Sequence, residues 1–269
     1  MARLAADLLG LRTLSALVMA PPALLATWWG GYAFAILVAL AVAVMCWEWD
    51  RMFTGHFGWP GRAGATGCLA AALLAVSHPL VAIALVIVSA IVGAVLARPE
   101  RLGRTWAGLG IFYAGLPSVA LVWLRANDAE GLHTVVWLLL LVWATDIGAY
   151  AAGRTIGGPL LLPKVSPKKT WAGLIGGVAS AGAVGLGAAL VLSLPHPVVI
   201  TLVSGALAVV AQAGDLFESW VKRRCGVKDS SNVIPGHGGV LDRVDGLLAA
   251  ALTVALASLA TGSVVLYWQ

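Results

Sequence analysis

The chain of 269 residues is 60% hydrophobic and only 11% charged, with a mean hydropathy of +0.93. Soluble domains run at about 45–50% apolar and about 25% charged, so the composition excludes an ordinary soluble enzyme and points to a polytopic membrane protein. The net charge of +5 and the isoelectric point near 9.4 fit basic cytoplasmic loops better than nucleic-acid binding.

A spanning helix needs about 20 apolar residues. The charge-free runs are 13–47, 63–97, 105–124, 131–145, 171–214 and 246–269. Three of them are long enough for two spans, and each is broken near its middle by Gly or Pro: WWGG at 28–31, SHPL at 77–80 and SLPHPV at 193–198. The runs therefore predict helices near 12–29, 31–48, 63–77, 80–97, 105–124, 132–152, 171–193, 198–217 and 246–266. The short third helix leaves eight spans as the alternative count. The basic N-terminal stretch resembles a signal peptide but lacks a convincing cleavage site, and reads as a retained first helix.

Loop charges supply the orientation. With the N-terminus cytoplasmic and the C-terminus outside, every Lys and Arg except Arg125 falls on an inner segment. The expected fold is thus an all-α polytopic membrane protein of about nine helices. It forms a single membrane-embedded domain, with 1–130 as N-terminal helices and 131–269 carrying the chemistry. Cys46, Cys68 and Cys225 show no metal-ligand spacing and imply no disulfide framework.

The ionisable residues gather in two inner segments. In WATDIGAYAAGRTIGGPLLLPKVSPKKTWAGLIGG (143–177), Asp146 lies inside an apolar helix, where a carboxylate costs at least about 2.5 kcal/mol and usually has a partner or a role. Lys168 and Lys169 of SPKKT stand just ahead of a helix. Two ammonium groups converging with helix-terminal N–H groups suit a phosphate, although the same lysines could merely anchor the helix at lipid headgroups. In QAGDLFESWVKRRCGVKDSSNVIPGHGGVLDRVDG (212–246), Asp215, Glu218, Ser219 and Lys222 recur at i, i+3, i+4 and i+7 and share one helix face. Asp242 and Asp245 repeat i, i+3 at the start of the last helix, where carboxylates also complement the dipole. If those two helices pack together, Asp215 can face Asp242. An all-oxygen donor set favours Mg²⁺ over zinc. Each group also has a plainer reading: Asp242 and Asp245 as caps, Glu218 with Lys222 as an i, i+4 pair, His237 as a loop hydrogen-bonder, and Arg223 and Arg224 as topology signals. All of these would have to hold at once. Carboxylates able to hold a divalent cation, flanked by many Lys and Arg, point instead to phosphate-rich substrates.

The stretch SWVKRRCGVKDSSNVIPGHGGVLDRVD (219–245) closely resembles the signature of CDP-diacylglycerol synthases, also called phosphatidate cytidylyltransferases. The likeness extends to TDIGAYAAGR, SPKKTWAGLIGG, GDLFES, YAGLPSVALVWLR and the N-terminal LRTLSALVMAPPALL, and so covers most of the chain. It implies a homodimeric all-helical enzyme with a polar cavity open to cytoplasm and lipid, which makes CDP-diacylglycerol and pyrophosphate from CTP and phosphatidic acid. It also implies Mg²⁺ and a monovalent cation, K⁺. Carried onto this chain, it places the metal on Asp215 and Asp242, with Asp245 and Asp146 supporting. Ser219, Lys222, Arg223, Lys228 and Asp229 fall on signature positions that face substrate or hold the loop, with His237 in the PGHGG turn and Lys168 and Lys169 in SPKKT. Two positions depart from the family pattern: Ala172 stands where Glu is usual, and a lysine common after the second glycine of the GRTIGG segment is missing.

The expected reaction is a nucleotidyl transfer at the cytoplasmic face of a bacterial inner membrane, with the lipid partner held in the bilayer. Two other readings compete: a CTP-dependent kinase or cytidylyltransferase acting on another lipid, and an ion-coupled transporter. Against the transporter, most acids sit at inner helix ends and no inverted repeat is visible.

Overall fold

The computed structural model describes residues 18–98, 103–126 and 128–268, with Asp128 and Ala129 described by their backbone alone. Nine α-helices run through the described residues. α1 occupies 18–29, and the expected start near residue 12 lies outside the described residues. It is followed by α2 (Gly31–Thr54), α3 (Trp59–Leu74), α4 (Pro79–Leu96), α5 (Gly103–Ala126) and α6 (Asp128–Thr155). A short hairpin of β1 (Leu160–Leu162) and β2 (Ser166–Thr170) leads into α7 (Trp171–Val191), α8 (Pro197–Arg224) and α9 (Leu241–Thr261), and a 3₁₀ turn at Val265–Tyr267 closes the described chain. All three Gly/Pro breaks fall between helices as expected.

Seven of these helices (α2 and α4 to α9) are long and apolar enough to cross a membrane, while α3 has 16 residues. Their outward faces carry large apolar side chains such as Leu80, Val95, Ile147, Val191 and Leu202, all more than half exposed. That exposure suits contact with lipid tails, not water. The chain is an all-α polytopic membrane protein.

Several boundaries differ from the sequence reading, among them the end of α2 at Thr54, the start of α3 at Trp59 and both ends of α6. α8 continues to Arg224 instead of ending near 217, because the charged Asp215–Lys222 face is itself helical and extends the helix beyond its apolar part. α9 starts at Leu241, five residues early, and ends at Thr261. SPKKT is a strand, β2, paired antiparallel with β1 through Leu160↔Thr170 and Leu162↔Ser166. Charge-free runs carry no signal for so short a hairpin.

The chain forms two compact units. One holds α1–α5 with the segment Cys225–Val244, and the other holds α6–α8, the hairpin and the residues from Asp245 onward. Thus α9 contributes Asp242 to the first unit and Asp245 to the second. In the first unit α2, α3, α4 and α5 pack around small residues, including fully buried Ala35, Ala71, Ala82 and Ala114, and Trp49 Nε1 donates to Trp106 O at 3.0 Å. Arg125, the basic residue outside the charge pattern, is 7% exposed. It donates from Nε to Thr27 O (2.6 Å) and from Nη2 to Trp28 O (2.8 Å), so it satisfies carbonyls that the last turn of α1 leaves without helical partners. Gly30, between α1 and α2, has φ 68°, and a Cβ there would overlap the Arg125 guanidinium. Only glycine meets both conditions.

The second unit is knit by close helix approaches. Trp137 Nε1 of α6 donates to Ser204 Oγ of α8 (3.1 Å) and Gln212 Nε2 of α8 donates to Leu174 O of α7 (3.4 Å). At Gly214 of α8 a Cβ would press on Asp245 O and Ala249 of α9.

Candidate active site

In the first unit, the segment between α8 and α9 is a loop closed by its own turn. Ile234 N donates to Gly238 O (2.8 Å), and His237 N and Gly238 N donate back to Ile234 O (2.9 and 3.1 Å). Gly236 and Gly238 have φ 75° and 85°, a left-handed backbone that favours glycine. The turn brings Gly239 and Ser230 to Asp242, the second residue of α9. Asp242 Oδ2 accepts from Ser230 N (2.9 Å), Ser230 Oγ (2.9 Å) and Gly239 N (2.8 Å). His237 is half-buried at the turn, and Lys228 and Asp229 are exposed on the loop.

A second carboxylate holds the same loop from α2. Glu48 is 0% exposed. Its Oε1 accepts from Ser231 Oγ (2.6 Å) and Val240 N (2.8 Å), and its Oε2 accepts from Leu241 N (2.8 Å). The two N–H groups are the first of α9, so Glu48 caps that helix from outside it and complements its dipole. The sequence reading missed this residue. Its signal was the one used for Asp146, an acid at the end of an apolar run.

In the second unit, β2 and α8 meet through charge. Lys169 Nζ lies 2.6 Å from Asp215 Oδ2, and Ser219 Oγ donates to Asp215 Oδ1 at 3.3 Å. Neighbouring side chains on a strand point apart, so Lys168 is exposed while Lys169 turns to α8. Both lysines stand just ahead of α7, as expected, with Lys169 paired to Asp215 and Lys168 open to the surroundings. The first turn of α7 is capped by Thr170, whose Oγ1 accepts from Gly173 N (3.0 Å). Lys222 Nζ is 2.5 Å from Oε2 of Glu218, which is 0% exposed, so the i, i+4 pair is present. Asp245 is close enough to Asp215, Asp146 and Lys222 to interact electrostatically with each, and it accepts from Gly246 N at 2.7 Å. Asp146 and Arg223 are exposed.

The second unit therefore gathers the carboxylates of Asp146, Asp215, Glu218 and Asp245 around the ammonium groups of Lys169 and Lys222. Among these described groups four carboxylates stand with two ammonium groups, and a cation would ease the repulsion between the acids. Among the described residues, no three His, Cys, Asp or Glu side chains form a ready-made metal cage. Such a cage is unnecessary for Mg²⁺, which is usually held by one or two carboxylates plus substrate phosphates and water. The all-oxygen donors here fit that ion.

Comparison with known proteins agrees with this chemistry. A model of the cytidylyltransferase family matches residues 10–260. A phosphatidate cytidylyltransferase of Brucella suis biovar 1 (strain 1330) is 40% identical over 251 residues, which is 89% of each chain. A phosphatidate cytidylyltransferase of Pseudomonas aeruginosa is 36% identical over 262 residues, covering 89% of this chain and 93% of that one. One from Rickettsia bellii is 41% identical over 157 residues, or 53% of this chain and 64% of the relative. A family match running through α2–α9 and both carboxylate clusters leads to one conclusion: the chain belongs to the cytidylyltransferase family and is a nucleotidyltransferase.

Proposed function

We propose that the chain is a phosphatidate cytidylyltransferase, which joins CTP and phosphatidic acid into CDP-diacylglycerol and releases pyrophosphate at the cytoplasmic face of the inner membrane. The observation that carries this reading is the 2.6 Å contact between Lys169 of SPKKT and Asp215 of GDLFES, which brings two separate motif segments to one place. The orientation rests on the loop charges, since Arg125, the outlier, is buried against carbonyls and contributes nothing to an outer loop.

A phosphatidate oxygen attacks the α-phosphorus of CTP. One P–O bond forms there as the bond to the β-phosphate oxygen breaks, and pyrophosphate leaves with that electron pair. The nucleophile is an anion near neutral pH, so no strong general base is needed. Two polyanions must nevertheless be brought together, and the protein's contribution is positioning and charge neutralisation. Lys169 and Lys222 pair with Asp215 and Glu218, from which their ammonium groups can turn to incoming phosphate oxygens. Lys168 and Arg223 in the second unit, and Lys228 in the first, lie exposed and add positive charge for polyanionic substrates. In the second unit, Asp215 with Asp245 and Asp146 would hold Mg²⁺. Asp242, in the first unit, is a metal carboxylate by the family resemblance alone, and its Oδ2 accepts three hydrogen bonds. When bound, the ion neutralises charge on CTP phosphate oxygens and on the leaving pyrophosphate. The reading also includes K⁺ and a homodimer, both carried by the family resemblance alone.

The test is direct. Purified protein in lipid discs is given CTP, phosphatidic acid and Mg²⁺, and CDP-lipid and pyrophosphate should accumulate and stop with EDTA. Release of CDP with a phosphorylated lipid would instead make the protein a kinase, and no turnover of phosphatidic acid would refute the substrate assignment.

A further inference from the structure

The segment WEWD (47–50) near the end of α2 places two acids two positions apart, and both are buried, Glu48 at 0% and Asp50 at 2% exposed. At 100° per residue they project about 200° apart around the helix, so they serve different neighbours. Asp50 Oδ2 accepts from Gly58 N at 2.6 Å, the N-cap of α3. Glu48 takes the start of α9.

We propose that Glu48 is a positioning residue for Asp242, setting from α2 where that carboxylate stands. The inference rests on the nucleotidyl-transfer reading above. Donors to the two acids are sequence neighbours in alternation: Ser230 and Gly239 give to Asp242, while Ser231, Val240 and Leu241 give to Glu48. Displacing Glu48 moves Ser231 and Val240, and their peptide links carry Ser230 and Gly239 with them. The arrangement has little slack, because a Cβ on Gly239 would overlap both Ser230 Oγ and Glu48 Oε1. Each Glu48 oxygen accepts, so a glutamine amide would set a donor against a donor at one of them. Aspartate is one methylene short and does not reach both sides of the loop.

The experiment compares wild type, Glu48→Gln, Ser231→Ala and Asp50→Asn, all full length in lipid discs. The readouts are kcat, KM for phosphatidic acid, the Mg²⁺ concentration for half-maximal rate, and amide hydrogen exchange over 228–244. For Glu48→Gln, kcat should fall about 10- to 100-fold, the effect of losing an orienting partner behind a site carboxylate. The Mg²⁺ requirement should rise, KM for phosphatidic acid should change little, and exchange at Ser230, Gly239, Val240 and Leu241 should quicken. Asp50→Asn should quicken exchange near Gly58 and leave the Mg²⁺ requirement unchanged. Faster loop exchange in Glu48→Gln with kcat and Mg²⁺ requirement within about twofold of wild type would make Glu48 a brace only and overturn the proposal. If Glu48→Gln does not fold, Ser231→Ala decides: loss of one of the three donors should lower kcat about three- to tenfold, and wild-type kinetics there would overturn the proposal. A wild type without turnover would refute the enzyme reading. Exchange at Ser230 and Gly239 would then still decide whether Glu48 governs the donors of Asp242.

Discussion

The two units satisfy their acids in opposite ways. In the first, Glu48 and Asp242 are held by backbone N–H groups and serine hydroxyls, six donors fixed in one loop. In the second, Asp215 and Glu218 are met by the ammonium groups of Lys169 and Lys222. Backbone donors cannot leave without unfolding the turn, whereas a lysine on a four-carbon stem can turn to an arriving phosphate. The first arrangement fixes geometry, and the second holds charge that can be shared with substrate.

The largest test removes an acid from each unit. Asp215→Asn and Asp242→Asn should each lower kcat by about 10²–10³-fold or more, with membrane insertion intact. Near-normal turnover in either purified variant would end the assignment of that carboxylate. Next, Lys222→Met takes from Glu218, 0% exposed, its ammonium partner. Thermal unfolding should show a loss on the order of 3 kcal/mol, and an unchanged midpoint would mean that the pair does not support α8. Lys169→Met removes a partly exposed ammonium. Its stability should change by less than about 1 kcal/mol while KM for CTP rises about tenfold. The smallest effect is that of salt. Raising ionic strength should increase KM for CTP a few-fold through the partly exposed Lys169–Asp215 pair, and should leave loop exchange around Glu48 and Asp242 unchanged.

Much of this was legible in the sequence, for local reasons. Charge-free runs broken by WWGG, SHPL and SLPHPV locate the helices because lipid-spanning segments exclude ions and the breaks need Gly or Pro. The Glu218–Lys222 pair follows from helical spacing, and the loop motif marks Asp242. The contacts that were not legible are long-range. Lys169 meets Asp215 across the whole of α7 and the apolar part of α8. Arg125 reaches carbonyls 97 and 98 residues away, so its role as an α1 cap looks, in sequence, like an exception to a charge rule. Glu48 closes an otherwise apolar run, and its partners lie 183 to 193 residues further on. Local periodicity carries no information at that range.

That separation has a consequence for how the protein is made. Synthesis at about 5–20 residues per second needs roughly 10–40 s to cover the 193 residues from Glu48 to Leu241. Through that interval α2 is complete while its acid still lacks its full set of donors. The first unit therefore cannot finish folding until the ribosome has delivered the start of the final helix. A chain halted before residue 231 keeps the Glu48 carboxylate without any of these three donors. Glu48 thus makes completion of the early helices depend on arrival of the last one.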